Sequence, residues 1–312
     1  MRDLVAVVGP TAIGKSAVAE ALAVEFGGEI VSADSMQVYR GMDIGTAKTP
    51  VGARRAPYHC VDLVDPGAPY SAALYQRNAR AAFADIRARG LLPILVGGTG
   101  LYVRAALDEM EFPMGEYVSP VRTALENQAV TLGREGLHRL LEERDPASAA
   151  LIHPNNVRRV VRALEMLELG GPTYAEQAAH FTERRAAVPA LLIGLTMQRA
   201  VLYARIDARV DAMIASGLPD EVAGLIASGY RTALTASQAI GYKELVPVLE
   251  DGADLGEAVA AIKRATRRYA KRQLTWFRGD PRISWLDVTE LSPDEAASAA
   301  QALVESEAPP TG

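Results

Sequence analysis

Gly9, Gly14, Lys15 and Ser16 have the types and spacing of a phosphate cradle. The segment Gly9-Pro10-Thr11-Ala12-Ile13-Gly14-Lys15-Ser16 follows an apolar run, Leu4 to Val8, and precedes an Ala-rich helical stretch. In such a loop the glycines let backbone N–H groups curl around phosphate oxygens, and the helix start adds its positive end. Lys15 then neutralises the phosphates and Ser16 holds magnesium. The expected ligand is a diphosphate or triphosphate.

Ligands of open parallel sheets bind beyond the carboxyl ends of the strands, so the segments that follow the next strands are where further chemistry belongs. One is Ser32-Ala-Asp34-Ser35-Met36-Gln37-Val-Tyr39-Arg40. Asp34 has three uses there: magnesium ligand, general base, or turn cap. Another is Gly97-Gly98-Thr99-Gly100, where Thr99 either offers its hydroxyl to a leaving diphosphate or caps a helix beginning near Leu101. NTP hydrolases use a strand-end Asp to place magnesium and water. Here no acidic residue follows until Asp108, so the usual means of holding an attacking water is not legible.

The elements that must position these groups follow from apolar patterning. Strands are expected at Leu4 to Val8, Glu29 to Ala33, Pro93 to Val96, Ala190 to Leu195 and Ile283 to Val288. Helices are expected at 15–26, 71–89, 199–215, 219–228 and 255–277. This βαβ rhythm predicts an α/β fold, a P-loop NTPase-like core with a parallel sheet flanked by helices. The rhythm lapses from about Phe112 to Ala187, where Pro113 opens a stretch that reads as entirely helical. The expected organisation is a core of 1–112 and 187–312, with an all-helical insertion, 113–186, between the third and fourth strands. The last dozen residues read as a disordered tail.

The chain has 312 residues, 49% of them hydrophobic, and a net charge of −5. That total disfavours a polyanionic partner, yet the distribution overrides it. Lys263, Arg264, Arg267, Arg268, Lys271, Arg272 and Arg278 fall in a stretch without an acidic residue, with Ile262, Ala265, Tyr269 and Trp276 on the opposite, packing side. Arg158, Arg159 and Arg162 repeat the design on a helix starting near Asn155 or Asn156, opposite Val157, Val160, Val161 and Leu164. Two basic faces in an acidic protein point to nucleic acid. Cys60 is the sole cysteine, which excludes a disulfide framework or a Cys-based zinc site within one chain. His59, His138, His153 and His180 lack metal-ligand spacing and read as structural or surface residues. No run approaches the ~20 apolar residues of a membrane helix, so no membrane partner is expected and cytoplasm is the expected address.

Seven segments in order, GPTAIGKS at 9–16, DSMQVYRGMDIGTAK at 34–48, LVGGTGLY at 95–102, HPNNVRRVVRALE at 153–165, YARIDARVDAMIASGL at 203–218, QAIGYKE at 238–244 and RYAKRQLTWFR at 268–278, carry a resemblance along most of the chain. The sequence resembles the tRNA dimethylallyltransferases, also called tRNA isopentenyltransferases. These move a prenyl group from dimethylallyl diphosphate to the N6 amine of the adenosine 3′ of the anticodon. The resemblance implies that Asp34 takes the proton from the attacking amine. It implies that Lys15, Thr99, Arg205 and Mg2+ stabilise the departing diphosphate. It implies that Ser35, Met36 and Gln37 meet the target base, and that Arg122, Arg158, Arg159, Val160, Val161, Arg162, Gly241, Tyr242 and Lys243 lie along the tRNA path. In this scheme Tyr242 stacks on an unpaired base and the insertion clamps the anticodon arm. Ion pairing with Asp207 and Asp211 is the competing use of Arg205 and Arg209. Ile13, Cys60 and Arg158 depart from the usual family text without removing a catalytic group, and a monomer suffices.

Two rival readings differ in chemistry. A P-loop nucleoside or metabolite kinase uses the loop and an Asp but leaves the basic helix unexplained. An RNA-binding regulator switched by a nucleotide uses the basic faces and leaves Asp34 without a role.

Overall fold

The computed structural model describes residues 3–112, 119–228, 230 and 235–306. Its elements run β1 (Val5–Val8), α1 (Lys15–Phe26), β2 (Gly28–Ser32), β3 (Tyr58–His59), α2 (Ala72–Ala88), β4 (Leu92–Gly97) and α3 (Gly100–Leu107). Then follow α4 (Pro120–Arg144), α5 (Pro146–Leu151), α6 (Val157–Glu168) and α7 (Tyr174–Thr182). The chain continues with β5 (Leu191–Thr196), α8 (Arg199–Ala215), α9 (Leu218–Ala227), α10 (Tyr242–Asp251), α11 (Leu255–Arg278), β6 (Ile283–Asp287) and α12 (Pro293–Ser306).

Two compact units result, Met1–Leu107 with Val188–Gly312, and Asp108–Ala187. In the first, the strands form one parallel sheet ordered β3-β2-β4-β1-β5-β6. The central strand β1, Val-Ala-Val-Val, is buried along its length between β4 and β5, as expected where helices cover both faces of a parallel sheet. Its register pairs Val8 with Gly97 of β4 and Gly194 of β5, which sets the ends of β1 and β4 side by side while β5 runs two residues further. Val5, Val7, Ile30, Ile94 and Ile193 pack with Leu22 of α1 and Leu202 and Ile206 of α8 into one core. Burial at this scale, roughly 1.5–3 kcal/mol per large aliphatic side chain, holds the strand ends in place.

The second unit has its own core, in which Leu137 and Leu141 of α4 meet Val160, Val161 and Leu164 of α6. Ser119 caps α4, and the helix kinks at Gly133, whose backbone leaves helical geometry. Asn156 stands at the N-cap of α6. His138 spends its ring nitrogen on the carbonyls of Ala149 and Ile152, a structural use.

The expected strands are all present, to within a residue or two at their ends. The two-residue β3 is additional, so the helical unit intervenes between β4 and β5. Tyr58-His59 is too short to show a period, which is why patterning misses it. Helices α10 and α12 are also additional. Residues 301–306 of the expected tail belong to α12, whose Ala300 and Val304 are buried; residues 307–312 and Pro113 lie outside the described residues. Among the described residues no helix is long and apolar enough to cross a membrane.

Candidate functional site

Between β1 and α1 the chain makes a tight loop with positive φ at Gly9, Ala12 and Gly14. A Cβ on Gly9 would lie 2.7 Å from the Leu195 carbonyl, so only glycine lets the loop leave the sheet here. Ile13 turns into the core and contributes backbone alone to the loop. The Lys15 ammonium donates to the Pro10 carbonyl at 2.7 Å. Burial, and after it the Arg209 charge, bring its pKa down to about 7, while Asp34 opposes both. Ser16 is exposed at the loop's mouth.

Asp34 follows β2 in a turn that its own carboxylate closes by accepting from the Met36 amide at 2.9 Å. Thr99 fixes the same turn. Its hydroxyl accepts from the Ser35 amide at 3.1 Å and donates to the Ser35 hydroxyl at 3.3 Å, while its amide donates to the Ala33 carbonyl. A Cβ on Gly97 would collide with Ala33, so the β4 end approaches the Asp34 turn only because it is glycine. The first turn of α3 is closed by the Thr99 carbonyl, which accepts from Tyr102 and Val103. The hydroxyl therefore serves the Asp34 turn, a third use beside the two considered from sequence.

Two hollows meet at Asp34. The smaller, about 70 Å³, is lined by Lys15, Ser16, Asp34, Gln37, Arg209 and Gln273. The larger, about 490 Å³, brings Asp34, Ser35 and Met36 together with Arg209, Tyr269 and Arg272, against an apolar wall that includes Ile206 and Val210. Burial lowers the pKa of Arg209, and the field of Asp34 raises it. Burial pushes the Tyr269 phenol up to about 12, Asp34 adding to the rise. The arrangement provides a cationic pocket for an anion, a carboxylate at its rim, and an adjoining cavity within the ~300–1,000 Å³ typical of small-molecule sites.

Several expected site residues sit elsewhere. Arg205 is exposed and lines neither hollow; Arg209, one turn on, occupies that place. Asp207 and Asp211 pair with Arg267 and Lys263 of α11, not with the arginines of their own helix, so those two cations of the basic stretch are committed to packing. Gln37 faces the smaller hollow, its amide held between Ser32 and Thr46, instead of meeting a base in the larger. Tyr242 lines the larger cavity but has no exposed surface for stacking. Its hydroxyl donates to Glu221 at 2.6 Å and its ring abuts Gly45. Gly241 caps α10 through its amide to Glu244, and Lys243 is exposed.

In the helical unit, Val160 and Val161 are core residues and their side chains cannot meet RNA. Arg158 and Arg159 are exposed, whereas Arg122 and Arg162 both donate to the buried carboxylate of Glu165, at 3.1 and 2.6 Å. On α11, Trp276 falls on the side expected to pack but is 41% exposed. With Arg268, Lys271, Arg272 and Thr275 it lines an open hollow.

The site residues to which sequence reasoning assigned no place in the reaction are Arg209, Tyr269, Gln273 and Glu221. Glu221 accepts from the amides of Asp43, Ile44 and Gly45, so one carboxylate shapes the loop beside the larger cavity. A helical period places Arg205 and Arg209 on one face and does not say which reaches the loop. Among the described residues no group of three His, Cys, Asp or Glu side chains is arranged for a metal. One hydroxyl and one carboxylate, Ser16 and Asp34, share the smaller hollow, a donor set that suits Mg2+ held largely by substrate oxygens and water.

Comparison with known proteins finds relatives along most of the chain. A family model described as IPP transferase matches residues 37–280, and one described as isopentenyl transferase matches residues 2–53. The tRNA dimethylallyltransferase of Symbiobacterium thermophilum is 52% identical over 92% of this chain and 89% of its own. That of Geobacillus thermodenitrificans is 49% identical over 92% and 91%. The crystal structure of a full-length tRNA isopentenylpyrophosphate transferase from Bacillus halodurans superposes with a TM-score of 0.73 at 42% identity, covering 98% of this chain and 96% of that one. A eukaryotic dimethylallyltransferase described as acting on tRNA superposes with a TM-score of 0.79 at 28% identity, covering 98% and 79%. With a phosphate loop and Asp34 placed as described, and relatives near half identical along most of their length, the chain belongs to the IPP transferase family.

Proposed function

We infer that the protein transfers a dimethylallyl group from dimethylallyl diphosphate to the N6 amine of the adenosine 3′ of the anticodon in tRNA, releasing diphosphate. The observation that carries this reading is the position of Asp34, which lines both the cationic hollow and the larger cavity. A diphosphate in the loop places its allylic carbon toward Asp34, and a base in the larger cavity places its amine against the same carboxylate. N6 attacks the allylic carbon as the carbon–oxygen bond to diphosphate breaks, and the N6 proton passes to Asp34. The amine is a weak nucleophile, so most of the rate must come from the leaving group. Lys15, Arg209 and the loop amides surround the oxygens on which charge develops. Mg2+, held through Ser16 and the diphosphate, supplies further charge neutralisation when bound.

The target base must leave its stack, at a cost of a few kcal/mol that interactions in the cavity offset. Arg268 and Arg272 at the cavity rim, and Arg158 and Arg159 on the helical unit, suit an RNA backbone. A nucleoside or metabolite kinase would leave the basic faces without a use, and the relatives do not favour it.

Incubating the protein with dimethylallyl diphosphate, Mg2+ and unmodified tRNA, then weighing the RNA, tests the reading. A prenyl mass added without ATP supports it, and ATP-dependent mass on a small nucleoside would replace it. Asp34→Ala should lower kcat by about 10²–10⁴-fold while tRNA binding survives, measured by single-turnover transfer and filter binding.

A further inference from the structure

Gln273 lies on the basic helix α11 yet is buried, with 5% of its surface exposed. Its amide does two things at once. The oxygen accepts from the Thr11 amide in the phosphate loop at 2.9 Å, and the nitrogen donates to the Gly98 carbonyl beyond β4 at 2.9 Å. Gly98 is where a Cβ would strike that nitrogen, so the amide and the strand end are fitted to each other. One turn earlier on the same helix, the Tyr269 phenol sits beside the side chains of Thr99 and Gln273. Thr99 in turn holds Ser35, next to Asp34. A continuous chain of touching groups therefore runs from the phosphate loop through Gln273 to Gly98, Thr99 and the Asp34 turn. Elsewhere on α11, Arg268, Lys271 and Arg272 are exposed.

We infer that Gln273 is a positioning residue for the transfer reaction: its side-chain amide braces the phosphate loop against the β4 end, fixing the distance between the bound diphosphate and Asp34. Only a group that accepts and donates simultaneously can serve, because Thr11 offers a donor and Gly98 an acceptor. The brace rests on the transferase reading for its catalytic consequence, and on the loop geometry alone for its effect on diphosphate.

Gln273→Met and Gln273→Glu in the full-length protein test it. The methionine variant keeps volume and loses both bonds; it should lower kcat at least about tenfold and weaken binding of inorganic diphosphate with Mg2+, while tRNA affinity stays within about twofold. The glutamate variant accepts from Thr11 but regains a donor toward Gly98 only when protonated, and burial favours that form. Its activity relative to wild type should therefore rise as pH falls from about 8.5 to about 6, whereas the methionine variant's ratio stays flat. Taking the ratio to wild type at each pH removes the pH dependence common to all three proteins. Wild-type kcat and diphosphate affinity in the methionine variant would overturn the proposal. So would a parallel loss of tRNA binding, Tm and activity in both variants with no pH-dependent recovery, which marks a purely structural residue. Should the wild-type protein transfer no prenyl group, the functional reading fails, and diphosphate binding by the variants still judges the brace.

Discussion

A partly buried lysine beside an arginine gives up its proton more easily, and Lys15 with its pKa of about 7 is in that position. Bound diphosphate restores the missing negative charge and raises that pKa again. Diphosphate binding should therefore take up a proton above pH 7 and weaken as pH rises, which calorimetry in buffers of different ionisation enthalpy measures. The sign for stability is opposite in origin. The unfolded lysine titrates near 10.5, so between about 7 and 10.5 the unfolded state binds more protons and the ligand-free fold gains stability as pH rises. Lys15→Met should accordingly raise the Tm of the ligand-free protein most at about pH 6 and least at about pH 10, while abolishing diphosphate binding. Arg209 and Arg205 offer a second comparison on one helix. Arg209→Gln should weaken diphosphate binding and slow transfer by about 10²-fold or more, a larger effect than Arg205→Gln, in the same assays.

Elements act by holding such residues at strand ends, and β2 shows how its far end is anchored. Glu29, at the amino end of β2, is buried and accepts from Arg89 after α2 and meets His59 of β3 at 2.7 Å. The Arg89 hydrogen bonds, followed by that of His59, hold its pKa at about 2 against the ordinary 4.5. A lowered carboxylate stabilises the fold fully above pH 4.5, and the contribution fades as pH falls toward 2. Glu29→Gln should cost about 2 kcal/mol at neutral pH, discounted because Arg89 is partly exposed, and should flatten the acid limb of the denaturation profile. The site lies at the other end of the strand, so diphosphate binding by the folded variant should change far less than its stability.

At the scale of the molecule, each of the two independently cored units carries basic surface of its own. Arg158 and Arg159 on the helical unit project from a helix whose opposite face is the core of that unit, so their charges are free of its packing. Arg158→Ala with Arg159→Ala should raise KM for tRNA more than it lowers kcat. The slope of log affinity against log salt should shrink by about one for each RNA phosphate that is no longer neutralised. An unchanged slope would place the RNA elsewhere.

Local chemistry made much of this legible without coordinates. The cradle needs glycines, a lysine and a serine at fixed spacing because backbone amides must converge on phosphate, and a loop of eight residues contains the whole device. Five strands declared themselves through short apolar runs, and Asp34 stood out because it follows one of them. What tertiary structure alone decided is which residues of distant elements arrive at that loop. Arg209 took the place expected of Arg205, Tyr242 was claimed by Glu221, Val160 and Val161 were claimed by a core, and Gln273 crossed from a basic helix to the phosphate loop. A helical period fixes a residue's face but not what that face meets, because the meeting depends on side chains far away along the chain. The residue types were written in the chain; their partners came from packing.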